Sequence, residues 1–225
     1  MLAVLFVVTN DNSYLKMLPE TEKTNDAALE AVPGEGTALA ALETLEVKGR
    51  APKTGYERTL FGSSWLMEGS CDTRNLILNR DLKTVVIDDK CRVLQGTLDD
   101  PYTGKTIEFK RGTDTSKSVQ IDHVVALNDA WQKGAQQFSA AKRLNFANDP
   151  LELLAVDGPA NQEKSNGDAA TWLPSNKAFR CQYVARQVAV KQKYQLWVTK
   201  AEKDTIRRVL SSCPDEPIPV AKKSL

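Results

Sequence analysis

Residues 120–131 read QIDHVVALNDAW, and residues 148–168 read NDPLELLAVDGPANQEKSNGD. An amphipathic segment lies between them. The single histidine of the chain, His123, stands in the first stretch, directly after Asp122. Val119-Gln120-Ile121 predicts a short strand that ends at the Asp-His pair. Leu151 to Val156 is a short apolar run between Pro150 and Asp157-Gly158-Pro159, which predicts a second strand and a turn. Pro159 to Lys164 then opens a short helix, because proline is accepted in a first turn. The order is strand, Asp-His, strand, turn, and a short helix carrying Asn161 and Lys164.

Outward from this stretch the pattern is mixed. Thr37 to Val47 has apolar residues at helical spacing. Arg74 to Leu82 predicts a helix, and Val85 to Ile87 a strand. Cys91 to Leu94 and Thr106 to Phe109 predict strands joined through a turn at Asp99 to Gly104. Asn128 to Phe146 places Trp131, Ala135, Phe138 and Ala141 on one face, which predicts one helix inserted before the second strand. Lys177 to Tyr194 predicts an amphipathic helix. Thr199 to Leu210 predicts another, opened by the cap pattern Thr199-x-x-Glu202.

The 225 residues carry a net charge of only +1, which excludes a chain that is basic throughout. The charge is uneven. Residues 101–225 hold 19 Lys/Arg against 13 Asp/Glu, a net of +6, and residues 1–100 hold 11 against 16, a net of −5. A basic half suits a polyanionic partner. The opening MLAVLFVV is too short to span a bilayer and has the look of part of a signal-peptide core, without its basic flank or cleavage site. Residues 1–36 are therefore expected to be an export-related or disordered segment, 37–213 the folded domain, and 214–225 a flexible Pro-rich tail.

There are four cysteines, Cys71, Cys91, Cys181 and Cys213. No Cys-x-x-Cys pair is present, so a common zinc site is not expected. An even count in an exported chain predicts two disulfides. Of the three connectivities, Cys71–Cys91 and Cys181–Cys213 join neighbours in sequence. With one histidine, a multi-histidine metal site is excluded. A Ser-His-Asp hydrolase is not supported either, because no Gly-x-Ser-x-Gly word occurs.

The Gln120–Asp168 stretch resembles the HNH nuclease superfamily, and in particular the secreted-type HNH family related to the C-terminal domain of GmrSD-type restriction enzymes. The family's acidic-His pair falls on Asp122 and His123, and its Asn-x-x-(His or Lys) on Asn161 and Lys164. Further words match: Gly55-Tyr56-x-Arg58, Phe61-Gly62-x-x-Trp65, Cys71-Asp72-Thr73-Arg74-Asn75, Asp100-Pro101-Tyr102-Thr103-Gly104, Trp172-Leu173-Pro174 and Arg180-Cys181-x-Tyr183. The resemblance covers roughly Ala38 to Cys213. The family has an Asn on its second strand that braces the loop after the histidine. Here Glu152 stands there, as a departure.

The resemblance implies an α+β fold with a ββα-metal (His-Me finger) core, an inserted helix, and flanking helices and strands. It implies a metal-dependent endonuclease acting on DNA, with RNA as the second substrate. In that scheme His123 is the general base, and Asp122 and Asn161 hold one divalent ion, Mg²⁺ or else Mn²⁺. Lys164 and Arg74 are candidates for phosphate contacts, and Glu152 for an acceptor that orients the histidine. Tyr102, Trp172 and Trp131 are read as core. A secreted or cell-surface monomer without a membrane span is expected. The alternatives are a nucleic-acid-binding module that kept the fold and lost cleavage, or a toxin effector nuclease.

Overall fold

The protein is described by a computed structural model that covers residues 36–112 and 117–220. The apolar opening, nearly all of the polar segment after it, and residues 221–225 of the tail lie outside the described residues. Thr37 caps α1 (Ala38–Thr44) by accepting from the Ala40 N–H. A 3₁₀ turn at Arg58–Phe61 leads to a small hairpin of β1 (Met67–Glu68) and β2 (Cys71–Asp72). Asp72 caps α2 (Thr73–Asp81). Then β3 (Lys83–Ile87), β4 (Val93–Asp99) and β5 (Thr106–Lys110) form an antiparallel sheet in that order.

β6 (Val119–His123) pairs antiparallel with β7 (Leu153–Asp157), in a register running from Val119 opposite Asp157 to His123 opposite Leu153. Between them come α3 (Leu127–Gln132), a 3₁₀ turn at Ala135–Gln137, and α4 (Ala140–Ala147). After β7 follow α5 (Gly158–Lys164), α6 (Arg180–Tyr194) and α7 (Lys200–Leu210). The capping box read from Thr199 and Glu202 is formed. The architecture is α+β. Among the described residues, no helix is long and apolar enough to cross a membrane.

The β6–β7 hairpin is buried on both faces, which explains the unbroken apolar run of Leu153 to Val156. Alternation sends Val119, Ile121, Leu153 and Ala155 into a small core with Ile77 and Leu78 of α2 and Phe109 of β5. It sends Leu154 and Val156 into the larger core built by α1, α3, α4, α6 and α7. Arginines close the entry to β7 from two helices. Arg80 of α2 and Arg186 of α6 both donate to the carbonyl of Pro150, at 2.7 and 2.9 Å. Helix α5 packs on both strands. Asp157 caps it through the Ala160 N–H, and Pro159 sits in its first turn.

Two expectations are corrected. The single helix expected over Asn128 to Phe146 is broken into α3 and α4. Gly134 lies at φ +126°, a conformation closed to a helix and open to glycine, and Ser139 starts α4 afresh by accepting from the Lys142 N–H. The expected face does not carry across the break: Trp131 and Ala135 are buried, Ala141 is exposed, and α4 turns Phe146 and Ala147 inward. The tail expected from residue 214 is in part ordered. The Ala38 N–H donates to the Glu216 carbonyl at 2.8 Å, and the Ile218 N–H to the Gly36 carbonyl at 2.9 Å. Both disulfides join the expected neighbours, Cys71–Cys91 and Cys181–Cys213, and no described cysteine is free.

The turn into α5 depends on Gly158. A Cβ there would lie 2.1 Å from the Lys117 carbonyl oxygen, a backbone atom that cannot swing aside. Gly158→Ala is expected to cost about 1–3 kcal/mol in urea unfolding. Gly49→Ala, at a position with open space around it, should stay within about 0.5 kcal/mol of wild type.

Candidate active site

His123 and Asp122 end β6 with their side chains on opposite faces of the hairpin. The imidazole is 6% exposed. Its Nε2 lies 3.0 Å from the Ala147 carbonyl at the end of α4. A carbonyl only accepts, so Nε2 carries the proton and Nδ1 keeps its lone pair. The Trp65 ring lies parallel to the imidazole, with 8° between planes and 5.9 Å between centroids. Burial lowers the His123 pKa to about 3. The charges of Arg58 and Lys164 push the same way, and the Ala147 carbonyl opposes them.

Asp122 is held from two sides. Lys164 Nζ donates to its Oδ1 at 2.9 Å and to the His123 carbonyl at 2.8 Å. Tyr102, from the loop between β4 and β5, donates to its Oδ2 at 2.5 Å. Burial raises the Asp122 pKa above the ordinary carboxylate value, against the lowering effect of Lys164 and Tyr102. Lys164 is 2% exposed, which corrects the phosphate contact expected of it. Its helix face turns inward, and its ammonium is spent inside the protein.

Glu152 does not orient the histidine, because the Ala147 carbonyl does. Its carboxylate instead accepts from the Val125 N–H at 3.2 and 3.3 Å, while its own carbonyl accepts from the Val124 N–H at 2.9 Å. These are the two residues that follow His123, so the loop after the histidine is braced from the position where the resembled family has Asn. Glu152 is fully buried, and burial pushes its carboxyl well above the usual range.

Asn161 on α5 donates through Nδ2 to Gln120 Oε1 at 2.9 Å. Asn161, Gln120, Asp122, His123 and Arg58 line a cleft of about 370 Å³. A second cavity of about 260 Å³ lies toward Trp65 and shares Arg58, His123 and Leu127 with the first. Asp122, Gln120, Asn161 and His123 thus line one cleft, with Asn161 and Gln120 bonded to each other across it.

Arg74 does not join them. Its Nη2 donates to the Val119 carbonyl at 3.3 Å, at the far end of β6, and it lines neither cavity. Four residues of strand put that point about 13 Å from His123. Asp72, two residues before it, is occupied as the cap of α2. The guanidinium at the cleft is Arg58. The sequence offered it inside the word Gly55-Tyr56-x-Arg58, but nothing local tied it to a histidine 65 residues on. Tyr102, read as core, is buried as expected, and its hydroxyl is also the second clamp on Asp122.

Two antiparallel strands and a short helix, β6, β7 and α5, thus surround His123, Asp122 and Asn161. Residues 72–209 match the family described as "GmrSD restriction endonucleases, C-terminal domain". A protein of Arthroderma benhamiae, described as an uncharacterized secreted protein, is 34% identical over 184 residues, covering 81% of this chain and 87% of that one. The chain therefore belongs to the GmrSD C-terminal domain family, related to the HNH nucleases. The family points to a nuclease-type function. Kinship with a secreted protein and two intramolecular disulfides mark the chain as a secreted one.

The Asp122–Lys164 pair sets a stability test. Lys164→Met leaves Asp122 buried without its cation and is expected to cost about 3–5 kcal/mol. The double variant Lys164→Met/Asp122→Asn removes both charges and should recover a large part of that loss. Equal destabilisation of the single and double variants in denaturant titrations would show that the pair is not coupled.

Proposed function

We propose that the chain is a divalent-metal-dependent endonuclease that hydrolyses phosphodiester bonds of DNA, with RNA as a second substrate. One observation carries the reading. His123 is fixed as the Nε2-protonated tautomer, with Nδ1 unprotonated, in a cleft that also gathers Asp122, Asn161 and Arg58. That favours cleavage over mere binding, because a module that only held nucleic acid would gain nothing from a buried neutral imidazole.

The donors suit a hard cation. A carboxylate and amide oxygens in a polar cleft are the ligand types of Mg²⁺ or Mn²⁺, which keep several waters. Asp122 already has one bond on each oxygen, yet an ionised carboxylate has about four lone-pair sites. The other group of possible ligands, Cys181, Cys213 and Glu216, is no rival, because those cysteines form a disulfide. Asp122 and Asn161 would hold the ion, which supplies Lewis-acid polarisation of the phosphate and steadies the leaving 3′ oxygen.

The chain's own residues do the rest. Nδ1 of His123 takes the proton from the attacking water as general base. The Ala147 carbonyl holds the ring and steadies the charge that the ring gains. Trp65 covers one face of the imidazole and restricts its rotation. Lys164 and Tyr102 keep the Asp122 carboxylate in place without entering the cleft. Arg58, exposed at the junction of the two cavities, meets the phosphate, the role first expected of Arg74. While free, Arg58 disfavours the imidazolium. Once its charge is matched by the phosphate, that opposition falls and the histidine becomes a stronger base.

A plasmid-nicking assay with and without divalent metal tests the reading. Wild type should cut only with metal. His123→Ala should lose cleavage by about 10² or more while metal binding by calorimetry is kept. Asn161→Ala should lose metal affinity and be partly rescued by excess metal. Loss of metal binding in His123→Ala would reverse the roles. The pH profile gives an independent check. A base with a lowered pKa keeps its active form as pH falls, so the acid limb of kcat/KM should lie below 6.5, the ordinary histidine value. Arg58→Gln removes a charge that lowers the pKa, so its acid limb should move up toward 6.5.

A further inference from the structure

Building on the nuclease reading, we propose that the cavity on the Trp65 side of His123 receives a nucleoside of an unpaired strand, so that the preferred substrate is single-stranded nucleic acid. A phosphodiester carries a nucleoside on each side of its phosphorus. The two cavities meet at Arg58, His123 and Leu127. A phosphate held between His123 and Arg58 therefore sends one nucleoside into the cavity of about 260 Å³.

The lining of that cavity fits a base and a sugar. Trp65 gives aromatic surface, Phe61 backs it from the core, and Ser63, Ser64 and Asn148 add polar atoms. An aromatic wall accepts the π-face of any base. The histidine is recessed at 6% exposure, so the scissile bond must come down to it. A closed duplex keeps its bases stacked and can fill such a chamber only by turning a nucleotide out, at a cost in stacking. An unpaired strand does so without that cost.

Two further observations agree. Beyond Trp65 the chain exposes Leu66 at 38% and Met67 at 63%. Apolar side chains beside the cleft are covered well by splayed bases and poorly by the charged ridge of a duplex. Among the described residues lining the two cavities, Arg58 is the one Lys or Arg. A protein that grips a duplex gathers many phosphate contacts and a steep salt dependence. This cleft has the means for one or two.

The test compares one labelled oligonucleotide, as DNA and as RNA, alone and annealed to its complement. Binding is read by anisotropy without metal, and cleavage with Mg²⁺ or Mn²⁺. The single strand should bind at least about tenfold more tightly than the duplex, with log K falling by about 0.7–1.4 per log unit of salt. Ser63→Tyr, at an exposed position, fills the chamber without touching the core and should abolish the preference. Trp65→Ala should weaken single-strand binding, and Trp65→Phe should keep most of it. Equal binding of the duplex, or no effect of Ser63→Tyr, overturns the inference. If neither form is cut with metal, the nuclease reading fails, and the binding comparison still decides the chamber. If the duplex is cut as fast as the single strand and Ser63→Tyr changes nothing, the nuclease reading stands and the chamber proposal falls.

Discussion

The ammonium of Lys164 is the point on which the site depends. It is buried, and it donates at once to the Asp122 carboxylate and to the backbone carbonyl of His123. One cation on α5 therefore fixes both the side chain of one residue and the main chain of the next at the end of β6. A buried charge tolerates little drift, because each lost bond leaves it desolvated and unmatched. The clamp reaches further through Tyr102. That residue comes from the β4–β5 loop, and its own carbonyl accepts from the Asn176 N–H and Ser175 Oγ. The three-stranded sheet, the hairpin, α5 and the chain before α6 are thereby referred to a single carboxylate.

A second buried charge network lies just beyond the C-terminal end of α5. Lys133 and Lys191, both fully buried, are matched by Asp129, Asp168 and Glu202, and Arg50 closes the group from a half-buried position. These residues come from α3 and the position that caps its end, α6, α7, the loop after α5 and, for Arg50, the chain after α1. Asp168 stands four residues beyond Lys164, and the Gly167 N–H donates to the Lys164 carbonyl. Replacing such a network with apolar groups often costs little. Its effect here is geometric: it ties the loop after α5 to α3, α6 and α7, and so steadies the helix that carries Asn161 and the segment that follows His123.

Much of this was legible because it is local. The hairpin followed from an apolar run bounded by turn signals, the α7 cap from Thr199-x-x-Glu202, and the disulfides from sequence neighbours. The misreadings are long-range. Lys164 lies one turn beyond Asn161 on the same helix face, and spacing cannot say that one of them faces the cleft and the other the interior. Arg74 sat beside a cysteine in a suggestive word, yet its distance from His123 is set by how α2 packs on β6. Arg58 became the cleft guanidinium only through the path of an irregular loop. Glu152 looked like a lost brace because the residue type had changed, while a carboxylate accepts a backbone N–H as well as an amide oxygen does. The break at Gly134 was invisible to periodicity because apolar residues recur at helical spacing on both sides of it in the sequence, although the structure exposes Ala141 and buries Phe146 and Ala147 instead.

Burial of the histidine sets a chemical problem that the cleft also answers. A ring with its pKa near 3 is safely neutral, but by itself it is a weak base. The depression has three sources, and only one of them can change during a reaction. Desolvation is built into the fold. Lys164 is locked to Asp122. Arg58 is exposed and free to take up a new partner. A phosphate anion that enters between Arg58 and His123 cancels the repulsive charge and favours the imidazolium that proton transfer creates. In the proposed reaction the cleft would tie the basicity of the ring to the presence of the phosphate. This is differential stabilisation of the charged state, supplied by the exposed Arg58 beside a buried ring.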